Sequence, residues 1–118
     1  MRSARRLSAV LTAGVTAVPG TVDRITVVNP HPYQLAIDVA GQGERATMAV
    51  GTVARERRAV FEEVVDQGDR WVFRFSYGGA DAGEVVVSRD DLRRSGWTIQ
   101  TPAGSEARLR AAGLAPSA

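Results

Sequence analysis

The chain has no cysteine and no lysine, and only one histidine (His31) and one asparagine (Asn29). Without cysteine there is no disulfide framework, no thiol nucleophile and no cysteine-based zinc site. A lipoprotein-type thioether anchor is excluded for the same reason. The longest apolar stretch, Leu7 to Val18, is interrupted by Ser8, Thr12 and Thr16. It falls short of the ~20 residues a bilayer-crossing helix needs, so no stable transmembrane anchor is expected. A lone histidine supplies no partner for a converging ligand set, and nothing in the sequence places a particular serine and acid beside it. The absence of lysine, with Ala, Gly, Val and Arg abundant, reflects coding bias and carries no chemistry.

What is present begins with charge. All 15 basic side chains are arginine, against 13 acids, for a net charge of +2. Arg2, Arg5 and Arg6 crowd the start, ahead of the apolar stretch and the small residues Val15-Thr16-Ala17. That order of cationic, apolar and small-residue segments predicts an export signal over residues 1–17, cut after Ala17. The Arg5-Arg6 pair resembles a twin-arginine signal only loosely. Without these three arginines, 12 basic residues face 13 acids. A nucleic-acid binder carries its basic excess on the folded surface, so nucleic acid is not an expected partner.

The 118 residues suffice for one domain with a modest core. After a linker at 18–21, alternation of apolar and polar residues dominates, the period of half-buried strands. Strands are predicted over Val22–Asn29, Tyr33–Val39, Thr47–Val53, Arg58–Val65, Trp71–Tyr77, Glu84–Val87 and Trp97–Gln100. The prolines of Asn29-Pro30-His31-Pro32 end the first strand, because proline cannot donate to a ladder. Phe61 and Val65 are expected on one face of the fourth strand, with Glu62 on the other. Asp66-Gln67-Gly68 fits a hairpin loop joining the fourth and fifth strands, which would set Glu62 beside Arg74. Gly78 to Gly83 reads as a flexible strand–strand connection. Ser88 and Asp91 fit the two ends of a capping box for a short helix closed by Gly96. Ser105 is expected to cap a second helix, Glu106 to Ala112, stopped by Gly113, and residues 114–118 to fray.

Six to seven short strands separated by turn signals predict an all-β fold: an immunoglobulin-like antiparallel β-sandwich over residues 22–113, with one or two short C-terminal helices. A small barrel is the alternative architecture.

Several side-chain groups invite a chemical reading. His31, between two prolines, is expected to be a solvated loop residue. Glu62, Glu63, Asp66 and Asp69 form an acidic patch, yet Arg70 sits inside it and no calcium-loop spacing appears. Glu63 with Asp81 or Glu84 would be one arbitrary carboxylate pair among many for glycoside hydrolysis. Gly78 to Gly83 lacks the Lys-Ser/Thr ending and following helix of a phosphate loop. Trp71, Phe73, Phe75 and Tyr77 alternate strictly and read as one core face, leaving Trp97 as the exposed aromatic. No catalytic, cofactor-binding or metal-binding residue is assigned.

The segments Ile25-Thr26-Val27-Val28-Asn29-Pro30, Gly51-Thr52-Val53, Phe61, Trp71 to Tyr77 with Gly78-Gly79, and Gly96-Trp97 together resemble small exported β-sandwich proteins of actinobacteria. The resemblance covers about residues 22–113. It departs at Ala54-Arg55-Glu56-Arg57, where such sandwiches often place Pro-Gly. It implies a fold and an extracytoplasmic location, and brings no catalytic residues. The expectation is an exported, non-enzymatic binding or structural module of the cell envelope or exterior, acting on a protein or an envelope component. It would act through the loops Asn29–Pro32 and Gly78–Gly83 or through an open sheet edge. The alternative is a cytoplasmic protein-interaction domain with a basic N-terminal arm.

Overall fold

The computed structural model describes residues 20–117. The expected signal segment, the first two residues of the expected linker and Ala118 lie outside the described residues. Seven strands and two short helices follow in order: β1 (Thr21–Asn29), β2 (Leu35–Gly41), β3 (Met48–Val53), β4 (Arg57–Val65), β5 (Arg70–Tyr77), β6 (Ala80–Ser88), α1 (Arg89–Arg94), β7 (Thr98–Gln100) and α2 (Ser105–Ala111). They form a three-stranded sheet, β4-β1-β7, and a four-stranded sheet, β3-β2-β5-β6. Every pairing is antiparallel except β1 with β7. The fold is an all-β sandwich. The sequence alternates apolar and polar because each sheet has one face in the core and one in water.

The core is built on β5. Trp71, Phe73 and Phe75 are fully buried, and they line up with Leu35, Ile37 and Val39 of β2 to form the inner face of the larger sheet. Each such side chain contributes roughly 1.5–3 kcal/mol on leaving water. The smaller sheet answers with Ile25 and Val27 of β1, Ile99 of β7, and Phe61 and Val64 of β4. Both β1 and β4 change inward parity at the same level. Val22 opposes Val64 and Ile25 opposes Phe61, with Asp23-Arg24 and Glu62-Glu63 exposed between them. Glu63 has φ 55°, and this left-handed residue brings Val64 inward in place of the expected Val65.

The predicted hairpin between β4 and β5 does not form. Asp66-Gln67-Gly68-Asp69 carries the chain from one sheet to the other, with Gly68 left-handed as anticipated. Glu62 therefore meets Arg24 (3.8 Å) and Arg74 meets Glu84 (3.5 Å), each on its own sheet. The cause is packing: the apolar rows of β4 and β5 face each other across the core, which two strands paired in one sheet cannot do. The expected flexible connection at Gly78 to Gly83 is also shorter. Gly78 and Gly79 (φ 58° and 81°) make a two-residue turn of the primed kind, pairing Tyr77 with Ala80, and β6 runs from there.

The first helix follows the expected pattern. Ser88 Oγ accepts from the Asp91 N–H at 3.0 Å, Asp90 and Asp91 occupy the first turn, and Leu92 is buried. In the second helix Gly104 is the N-cap. Ser105 lies inside the helix, fully buried, and its hydroxyl donates to the Ala82 carbonyl of β6 at 2.6 Å.

Gly51 marks the closest approach of β3 to β4. A β-carbon built there would stand 2.7 Å from Phe61 Cε1, at a φ of 153°. We expect Gly51→Ala to destabilise the fold by about 1–3 kcal/mol in urea unfolding. Adding Phe61→Leu should recover part of that loss; full stability of Gly51→Ala alone would contradict the packing described.

Candidate functional site

The loop after β1 is an internal joint. Asn29, 1 % exposed, donates through Nδ2 to the carbonyls of Tyr33 (2.7 Å) and Ala54 (3.1 Å), while its Oδ1 accepts from the His31 N–H (3.1 Å). The Glu56 N–H bonds the His31 carbonyl at 3.0 Å. One amide side chain thus fastens the β1–β2 loop to the β3–β4 turn. His31 is buried, contrary to the expected solvated position. Its Nε2 lies 2.8 Å from the Pro102 carbonyl. A carbonyl only accepts, so Nε2 carries the proton and donates. The C-terminal tail, expected to fray, is held at the same end. Tyr33 Oη donates to the Leu114 carbonyl (2.7 Å), the Ser117 N–H to the Pro32 carbonyl (3.0 Å), and the Gln34 N–H to Ser117 Oγ (2.8 Å).

The opposite end carries a charged joint. The Arg89 guanidinium grips both carboxylate oxygens of Asp66, with Nη2 to Oδ2 at 2.6 Å and Nη1 to Oδ1. Asp66 Oδ1 also accepts from the Gly68 N–H (2.8 Å), and Trp71 Nε1 donates to the Gly68 carbonyl (3.0 Å). Arg89 lies over the Trp97 ring at 5.6 Å, and Trp97 packs edge-on against Trp71 at 6.0 Å. Trp97 is therefore half-buried in this joint and not the exposed aromatic that its sequence position suggested. Burial pushes the Asp66 carboxyl up, but the Arg89 hydrogen bond, the Gly68 N–H and the arginine charge outweigh it and hold it below the usual range. The Asp66 hydrogen bond raises Arg89 in turn, against the burial that lowers it.

The acidic groups singled out in the sequence do not form one cluster. Asp66 is neutralised by Arg89, which also feels the charge of Asp69, while Glu62 leans on Arg24 and Glu63 sits at the bend in β4. Among the described residues, no three His, Asp or Glu side chains are grouped to hold a metal ion. Glu63 belongs to the three-stranded sheet, Asp81 and Glu84 to the four-stranded one, where Arg108 (3.1 Å) and Arg74 take them up.

What remains open is one lateral side. At the β6 and β7 margins, α1 bridges the two sheets, α2 packs on β6, and Leu92 and Leu109 are fully buried. Pro102 covers Gly83, where a β-carbon would come within 3.1 Å of its ring. Among the described residues, no helix intervenes at the β3 and β4 margins. A groove of about 390 Å³ opens there, lined by Met48, Val50, Val60, Phe61, Glu63 and Val65 among others. Among the described residues, Met48 (44 %), Val60 (51 %) and, alone on β6, Val86 are the large apolar side chains left exposed. Little in the sequence warned of this groove, because it depends on two margins facing each other.

The Asp66–Arg89 joint makes stability depend on acid. A depressed carboxyl contributes fully above its unfolded value, near 3.8, and the contribution is lost as pH falls through the lower folded value. Asp66→Asn should lower stability at pH 7 by roughly 1–2 kcal/mol and flatten the loss between pH 4 and 2, about the carboxylate range. Chemical denaturation at a series of pH values reads both effects; an unchanged acid limb would contradict the assignment. No family model, curated protein or solved structure matches this chain.

Proposed function

We propose that the chain is an exported, non-enzymatic β-sandwich module that works in the cell envelope or outside the cell, meeting its partner through the open β3–β4 side. The three-part N-terminal segment and the likeness to small exported sandwiches of actinobacteria support export. The observation that carries the interaction surface is the contrast between the two sides of the sandwich. One is sealed by two helices and a docked proline, while the other leaves Met48 and Val60 in water beside a groove. Exposed apolar residues clustered at a groove mark interaction surfaces more often than scattered ones do. The polar side chains of the loops first considered for recognition are committed elsewhere: Asn29 and His31 are buried in a joint, and Gly78-Gly79 is a tight turn. Among the described residues, His31 is taken up by the Pro102 carbonyl, and Glu62 and Glu63 lie on a different sheet from Asp81 and Glu84.

Intact mass of the native protein, measured separately in cell and medium fractions, tests the reading. The expected species begins at Val18 and is found in the envelope or the medium. A full-length chain confined to the cytoplasm would overturn export and favour an intracellular interaction domain.

A further inference from the structure

We infer that the occupant of the open side is a second copy of this chain, paired edge to edge through β4 about a twofold axis at Val60. The inference rests on the reading that the β3–β4 side is the working surface. Four margins are available, and three are blunted. β6 is covered by α2 and Pro102, β7 is three residues long, and β3 has a register shift between its partners Ile37 and Asp38. Bulged, short and covered edges resist strand addition. β4 is nine residues long, pairs only with β1, and keeps a regular register from Arg57 to Glu62.

The charge pattern on this edge is self-complementary. It reads Arg57-Arg58-Ala59-Val60-Phe61-Glu62-Glu63. Laid antiparallel against itself about Val60, it sets Arg58 opposite Glu62 and Arg57 opposite Glu63, twice each. A slip of one residue in either direction leaves only one of the two Arg–Glu matches on each side. Arg58, Val60 and Glu62 lie on one face of the sheet, opposite Val28, Thr26 and Arg24 of β1. In the dimer that face carries Val60 against Val60 at the axis, with an Arg58–Glu62 pair on each side. Opposite charges directly across an antiparallel pair are favourable, and like charges there are not. Among the described residues Arg58 and Glu63 form no ion pair, and Glu62 has only its loose contact with Arg24. The left-handed bend at Glu63 ends the regular edge. The twofold closes the assembly at two chains and joins two three-stranded sheets into one of six.

The absence of cysteine makes the test clean. In the full chain, Val60→Cys is expected to form a disulfide-linked dimer under mild oxidation. Thr26→Cys is not, because the two copies of residue 26 would stand three strand spacings apart, about 14 Å, against the ~7 Å limit for a disulfide. Sedimentation velocity over a concentration series supplies the second reading. Arg58→Glu and Glu62→Arg each set like charges face to face on both sides of the axis and should weaken the dimer about tenfold. Mixed together, the two variants should form a one-to-one heterodimer, since every facing pair is then opposite in charge, and the double variant should regain self-association. Circular dichroism confirms that each variant is folded. A Val60→Cys chain that stays monomeric, or a mixture of the two variants that fails to associate, overturns the dimer. A monomer still recovered outside the cell would overturn the dimer alone and leave export standing.

Discussion

The constraint on which this structure depends is the unequal width of its two sheets. The aromatic row of β5 must be covered along its whole length, and a three-stranded sheet cannot span a four-stranded one. On one side the deficit is met by segments outside the sheets: Leu92 from α1, Leu109 from α2, and Trp97 and Leu114 from the connections around them. The C-terminal third of the chain is therefore part of the core. On the other side Gly51 of β3 lets Phe61 of β4 approach closely, and a groove opens between the two margins.

The two ends of the sandwich are joined by different chemistry. At one end Asn29 satisfies two carbonyls and an N–H with a single neutral side chain. At the other, Asp66 and Arg89 form a bidentate ion pair shielded by Trp97, with the Gly68 amide group tied to it from both sides. Buried backbone groups must find partners, and loops that cross between sheets have no ladder to supply them. Side chains take that role here, so the loops at both ends are used up in holding the sheets together. In the proposed binding role, recognition falls to the lateral margin, where a strand edge and exposed apolar side chains coincide.

That margin also explains how edge exposure is kept from becoming aggregation. Of the four sheet edges among the described residues, β6 is covered, β7 is short and β3 is bulged; β4 is long and regular, and in the proposed dimer its charge pattern favours one register. Arginines at one end and glutamates at the other set like charges against an in-register parallel neighbour and leave a slipped antiparallel one with fewer opposite pairs.

The sequence by itself determined the strand order along the chain, the inward row of β5 and the position of most turns. Alternation marked Trp71, Phe73 and Phe75 as core because a pleated strand points successive side chains to opposite faces. Ser88 with the acids after it announced α1, since an unsatisfied helix N-terminus draws a hydroxyl and negative charge. Only the tertiary structure decided which strands are neighbours. An apolar row records a face and not a partner, so β4 and β5, adjacent in sequence, settled into different sheets. The same holds for His31 and Trp97. Their surroundings are supplied by Pro102, 71 residues on from His31, and by Trp71 and Arg89 folded across from Trp97. The parity change at Glu63 was hidden for a related reason: it follows from a left-handed backbone at a residue whose type does not ask for one. Local sequence encodes local preference, and the burial of a polar group or the pairing of an edge depends on what the rest of the chain brings to it.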